Sequence, residues 1–170
     1  IRARGGMITT GNLCTRYLFD MLSEYGELEL AYELITREDY PSYGFMRQNE
    51  ATTVWERFEL KKDAGMNSHD HPMYGAIGYW FYAYLAGVIP AEPGYRKVTV
   101  KPYLPSKLRS CEAELDTPYG PLTVRWTQRY GRKTLHVSVP FGMTARIFFG
   151  GTDKEFGAGY HVIDGGEYNG

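Results

Sequence analysis

The chain has 170 residues, 43% hydrophobic, 15% aromatic and 23% charged, with a formal net charge of −1. That length holds one domain or two small ones, the composition excludes a disordered or collagen-like chain, and the balanced charge offers no basic field for nucleic acid. Two cysteines, Cys14 and Cys111, exclude a disulfide framework and a four-cysteine zinc site, and are expected to be buried free thiols.

The first residues, Ile1-Arg2-Ala3-Arg4-Gly5-Gly6, carry no Met and no apolar leader core, and read as the interior of a longer chain. Over residues 11–37 the spacing predicts a helical hairpin: Leu13, Tyr17, Leu18, Met21, Leu22 and Tyr25 form one apolar stripe, Gly26 stops the first helix, and Leu28, Ala31, Leu34 and Ile35 form the second stripe. Pro41 forbids continuation, and residues 38–71 lack sustained periodicity, so they are expected to be a long loop. Pro72 to Ala91 carries no charge over 20 residues, which is the length of a membrane span. Pro72, Gly75, Gly78, Gly87, Pro90 and four Tyr interrupt it, so a buried core helix over residues 73–87 is expected instead, with no membrane partner.

From Tyr95 the apolar period becomes two. Val98 and Val100, then Cys111, Ala113 and Leu115, then Leu122, Val124 and Trp126, then Leu135, Val137 and Val139 each alternate with polar residues, and residues 145–149 and 160–164 add two strands. Short strands separated by turns such as Tyr119-Gly120 and Tyr130-Gly131 predict an antiparallel β-sandwich over residues 95–165. The fold class is therefore helices followed by strands, with units at residues 1–90 and 91–170. Charge divides at the same place, net −4 before residue 91 and net +3 after it.

Residues capable of chemistry crowd into the 38–71 loop. Trp55-Glu56 sets a carboxylate beside a large ring; such a group serves as general acid or base if buried, or as a plain surface ion-pair partner if not. His69 and His71 with Asp63 and Asp70 lack helical spacing and a clear third ligand, so no metal site is expected. His71 is read either as a donor to a substrate hydroxyl or as a cap on the helix after Pro72. Glu59 is read as a solvated charge. No phosphate loop, no Gly-x-Ser-x-Gly elbow and no other cofactor signature is present, so no cofactor is expected.

Two segments carry a resemblance. Tyr40-Pro41-Ser42-Tyr43-Gly44-Phe45-Met46, followed by Ala51-Thr52-Thr53-Val54-Trp55-Glu56-Arg57-Phe58, resembles the YPSWGYM…GATTIWERW segment of bacterial α-L-rhamnosidases, glycoside hydrolase family 78. Gly65-Met66-Asn67-Ser68-His69-Asp70-His71 resembles their GMNSxNH segment, and Pro93-Gly94-Tyr95 with Val98 to Pro102 resembles the entry into their C-terminal sandwich. The resemblance runs from about Thr9 to Tyr168 and departs from the pattern at Glu50 (usually Gly), Tyr43 (usually Trp) and Asp70 (usually Asn). These departures bear on substrate preference more than on the base.

The resemblance implies the last helices of an (α/α)6 catalytic barrel plus a small β-sandwich, in an enzyme that removes terminal α-L-rhamnose with inversion. It implies that Glu56 is the general base, that Trp55, His71 and the neighbouring aromatic Tyr43 line the sugar site, and that the general acid lies upstream of this chain. The implied partners are a rhamnose-containing carbohydrate and the upstream remainder of the barrel. The isolated chain is expected to be inactive, and to self-associate through helix faces such as Ile77, Phe81 and Leu85. The alternatives are an inactive homologue and a carbohydrate-binding or structural sandwich module.

Overall fold

The computed structural model describes Ile1, Ala3, residues 5–62 and residues 68–167. Asp63, the Gly65-Met66-Asn67 part of the second motif and Tyr168 lie outside the described residues. The chain divides into two compact units, Ile1–Trp80 and Phe81–Gly170.

The first unit is helical. α1 (Asn12–Glu24) and α2 (Leu28–Thr36) form the expected hairpin, turning at Gly26 with φ +83°. α2 buries Ala31, Leu34 and Ile35 as its periodicity requires. α1 does the opposite of what its periodicity predicts. Leu13, Tyr17, Met21 and Tyr25 are 68, 64, 49 and 76% exposed, while Thr15, Phe19 and Ser23 on the other face are buried. Burial of the two hydroxyls is tolerable because both are satisfied. Thr15 Oγ1 donates to the Gly11 carbonyl at 2.9 Å. Ser23 Oγ donates to the Phe19 carbonyl at 2.8 Å and accepts the Trp80 indole N–H at 2.8 Å.

A short helix, α3 (Tyr43–Gln48), interrupts the expected loop. Extended Ser42 caps it, its Oγ accepting the Phe45 N–H at 2.9 Å. At the other end the Ala51 N–H donates to Met46 O and the Glu50 N–H to Arg47 O, both at 3.1 Å. That pattern is a Schellman cap, and it puts Glu50 at φ +62°, the left-handed position that glycine fills at least cost. The helix is too short to show a period, which is why only its caps betray it in the sequence. After the loop, a 3₁₀ turn (Met73–Ala76) leads into α4 (Ile77–Trp80), a single turn.

The second unit opens with a π-helical turn, Phe81–Leu85, closed by the Ala86 N–H to Phe81 O bond at 2.8 Å. The helix expected over 73–87 is thus three short pieces. Ile77 and Leu85 are buried, and of the three side chains expected to offer an open helix face only Phe81 remains exposed. This corrects the face expected to drive self-association: most of the open apolar side chains of the helical unit are on α1. Among the described residues, no helix is long and apolar enough to cross a membrane.

Among the described residues eight strands follow: β1 (Val88–Pro90), β2 (Lys97–Val100), β3 (Ser110–Thr117), β4 (Gly120–Arg129), β5 (Arg132–Val139), β6 (Thr144–Phe149), β7 (Thr152–Phe156) and β8 (Gly159–Glu167). They form two four-stranded sheets, ordered β1-β2-β6-β7 and β3-β4-β5-β8. Inward side chains build the core: Val98, Val100, Ala145 and Ile147 from one sheet, Leu122, Val124, Trp126, Leu135 and Val137 from the other. The Trp126 indole N–H is satisfied by the Leu85 carbonyl at 2.8 Å. The pairings are antiparallel except β2 with β6, which run parallel. β7 escapes a period-two reading because Asp153, Lys154 and Glu155 are all exposed on an edge strand, where charge protects the open edge. Both thiols are free, and Cys14 is exposed rather than buried.

Two substitutions test this backbone. Gly87 has φ +77°, and a Cβ there would meet the Lys101 carbonyl carbon and Pro102 nitrogen at 2.2 Å. Gly87→Ala is expected to destabilise the sandwich by about 2–4 kcal/mol from left-handed strain plus overpacking, read as a drop in denaturant midpoint. Conversely, Glu50→Gly relieves the strain at the α3 cap and is expected to stabilise by up to about 1 kcal/mol, after the entropy cost of glycine, read as a small rise in Tm.

Candidate active site

The two motif segments are joined through their backbones. The Glu56 N–H donates to Ser68 O at 2.9 Å and the His71 N–H donates to Val54 O at 2.8 Å. The Thr53 hydroxyl adds a hydrogen bond to the His69 carbonyl. In return the Ser68 N–H donates to the Glu56 carboxylate, Oε2, at 2.9 Å. Residues 53–56 and 68–71 therefore form a short two-stranded clamp, and the Glu56 side chain is oriented by the segment that faces it. Ser68 holds its own turn by donating from Oγ to the Asp70 carbonyl at 2.9 Å.

Beside the clamp lies an open cleft of about 390 Å³. Its walls among the described residues are the Ile8–Gly11 segment leading into α1, Tyr40 and Pro41, the run Glu56 to Glu59, and Tyr74. The Tyr40–Pro41 peptide is cis. Arg37 ties the N-terminal wall to the end of α2: its guanidinium donates to the Gly5 and Gly6 carbonyls at 2.8 and 2.6 Å and pairs with Asp39. That pairing holds the Asp39 carboxyl below its usual range, chiefly through the Arg37 hydrogen bond.

Of the residues singled out in the sequence, Glu56 lines this cleft, half-buried. Trp55, Tyr43 and His71 are not among its described walls. Trp55 is only 2% exposed and stacks on His69, ring centroids 4.6 Å apart and planes 17° from parallel. Tyr43 is the hub of an aromatic cluster, edge-on to Phe58 at 5.5 Å and near Phe19 and Tyr74 at 6.3 Å. Its hydroxyl donates to the Tyr74 carbonyl at 2.9 Å, and burial pushes its phenol well up from the usual range. His71 accepts the Met73 N–H on Nδ1 at 3.3 Å, which is the helix-capping role. Accepting on Nδ1 leaves the neutral ring its proton on Nε2.

Sequence reasoning missed Tyr40, Tyr74 and Glu59 as cleft residues. Tyr40 and Tyr74 both have phenols raised first by burial and then by the charge of Glu59. Their nearness to Glu56 is tertiary, since Tyr40 and Tyr74 flank it from opposite ends of the loop. Among the described residues no group of three or more His, Cys, Asp or Glu is arranged to hold a metal ion.

Comparison with known proteins then bears on this geometry. Residues 1–85 match the bacterial alpha-L-rhamnosidase 6 hairpin glycosidase domain, and residues 87–164 match the bacterial alpha-L-rhamnosidase C-terminal domain. The chain is 41% identical over 146 residues to an alpha-L-rhamnosidase of Alteromonas sp. (strain LOR), covering 82% of this chain and 16% of that protein. It is similar to the crystal structure of an alpha-L-rhamnosidase from Aspergillus terreus, with TM-score 0.88 at 28% identity over 93% of this chain and 20% of that one. It is also similar to the Streptomyces avermitilis alpha-L-rhamnosidase complexed with L-rhamnose, with TM-score 0.83 at 31% identity over 98% of this chain and 18% of that one. The chain thus spans under a fifth of the length of the Alteromonas and Streptomyces proteins. With both units matched in order, the chain belongs to the bacterial α-L-rhamnosidase family.

Proposed function

We propose that this chain is the C-terminal part of an inverting α-L-rhamnosidase, in which Glu56 is the general base. Its helical unit completes the catalytic domain, and the sandwich, whose first strand is Val88–Pro90, follows it. The observation that carries this reading is the clamp between residues 53–56 and 68–71, which fixes the Glu56 carboxylate at an open cleft by a backbone N–H. Inversion needs one carboxyl to protonate the leaving oxygen and a second, across the ring, to take a proton from the attacking water. Glu56 supplies the second. The first belongs to the part of the catalytic domain outside this chain. Trp55, Tyr43 and His71, none of them a described wall of the cleft, support the sugar site through the packing and hydrogen bonds around it.

The rest of the helical domain packs on the open stripe Leu13, Tyr17, Met21 and Tyr25 of α1, since large exposed apolar patches mark interfaces. Isolated, the chain lacks both the acid and the opposing walls. It is expected to show no turnover of an aryl α-L-rhamnoside, and to elute from a sizing column as an oligomer. Measurable turnover by the purified 170-residue chain would refute the reading of the missing acid.

Glu56→Gln in the full-length enzyme preserves shape and the hydrogen bond from Ser68 while removing the base. Its kcat is expected to fall about 10²–10⁴-fold with little change in Tm, and added azide, a nucleophile that needs no deprotonation, is expected to restore part of the rate. The matched control is Glu33→Gln on the exposed face of α2, which should leave kcat unchanged. Near-normal turnover by Glu56→Gln would dismiss Glu56 as the base.

A further inference from the structure

Glu59 sits three residues after Glu56 and was expected from the sequence to be a solvated charge. It is exposed, but it is exposed into the cleft that Glu56 also lines. The residue between them and the core, Phe58, is buried and packs against Tyr74 at 4.4 Å and Tyr43 at 5.5 Å. That anchor lies between the two carboxylates, and both border the same cleft. Tyr40 and Tyr74 border the cleft with Glu59. No salt bridge among the described residues engages Glu59, whose carboxylate accepts the hydrogen bond of the Tyr40 phenol and has lone pairs to spare for a second donor.

We propose that Glu59 is a substrate-binding residue of this site, accepting a hydrogen bond from a hydroxyl of the bound sugar beside the Tyr40 phenol. The proposal rests on the reading of the Glu56 cleft as the glycosidase site. A carboxylate accepts from sugar hydroxyls at up to four lone-pair positions, and a phenol both donates and accepts. A tyrosine beside a carboxylate therefore suits one hydroxyl held from two sides. The same charge raises the phenols of both Tyr40 and Tyr74, after burial, which keeps them protonated as donors. Two carboxylates in one cleft also favour a neutral sugar ring over an anionic one, since a charged substituent there meets like charge. Glu59 thus contributes to which glycoside is accepted, and Glu56 to how it is cleaved.

The test is steady-state kinetics of the full-length enzyme with an aryl α-L-rhamnoside, together with inhibition by free L-rhamnose. A charge-assisted hydrogen bond lost from a bound ligand weakens binding by on the order of 10–100-fold. Glu59→Ala is expected to raise KM and the inhibition constant of L-rhamnose by about that factor, with kcat within a few-fold. Glu59→Gln, which keeps an acceptor oxygen, is expected to recover part of the loss, and Tyr40→Phe to show a smaller rise. A KM and an inhibition constant for Glu59→Ala within about two-fold of the unmodified enzyme would overturn the proposal. So would a loss confined to kcat. The Glu56→Gln variant separates the two readings: its failure to lose turnover removes Glu56 as base, whereas the Glu59 assignment stands or falls on binding alone.

Discussion

The reciprocal hydrogen bonding between Glu56 and Ser68 is the constraint on which the candidate site depends. One residue's backbone both gives and receives: the Ser68 carbonyl accepts the Glu56 N–H while the Ser68 N–H reaches the Glu56 carboxylate. A flexible glutamate on a loop would sample several rotamers and lose entropy on each productive encounter. Held by a backbone donor, it keeps one orientation before substrate arrives. Pre-organisation of this kind is what the proposed base role calls for, because proton transfer requires the acceptor within hydrogen-bond reach of the attacking water. The neighbouring Val54–His71 bond extends the clamp, so two stretches far apart in the chain behave as one element.

Behind the clamp, aromatic packing supplies the stiffness that a loop lacks. Trp55 is committed to His69, and Tyr43, Phe58 and Tyr74 form a connected cluster reaching Phe19 of α1. Each such pair adds about 0.5–1.5 kcal/mol beyond the burial of its area. The hydroxyl of Tyr43 is spent on the Tyr74 carbonyl, so the cluster also fixes the backbone of a residue that borders the cleft. α1 enters this core with Thr15, Phe19 and Ser23, and the Ser23–Trp80 hydrogen bond ties it to α4. The helical unit is thus packed on one side of α1 and open on the other.

The sandwich unit obeys simpler rules. Its core is built from alternating side chains of both sheets, and the single large polar-tipped ring at its centre, Trp126, finds the Leu85 carbonyl freed by the π turn. A buried indole N–H without that acceptor would cost about 1–3 kcal/mol. The irregular turn before β1 therefore has a partner in the core.

Much of this was legible in the residues. Period-two alternation identified β2 to β6 and β8, and period 3.6 identified α1 and α2, because each pattern is a local consequence of where side chains project. Glu56 was legible as a candidate because its neighbours form a recognisable motif. The rest required the folded chain. α1 has two plausible faces, one apolar and one carrying Phe19 among small hydroxyl residues, and only the presence of Trp80 opposite Ser23 decides which is buried. The sequence could not show that Tyr40, Glu59 and Tyr74 would line the cleft rather than Trp55 and Tyr43, because those neighbours are joined by loop crossings rather than by spacing. The parallel pairing of β2 with β6 was equally invisible, since alternation reports a strand's faces and not its neighbours. Local sequence determined which elements form and which side of a strand is wet. Tertiary structure decided which helix face is covered and which carboxylates share a cleft, because those outcomes depend on distant partners that supply the matching donor, acceptor or apolar surface.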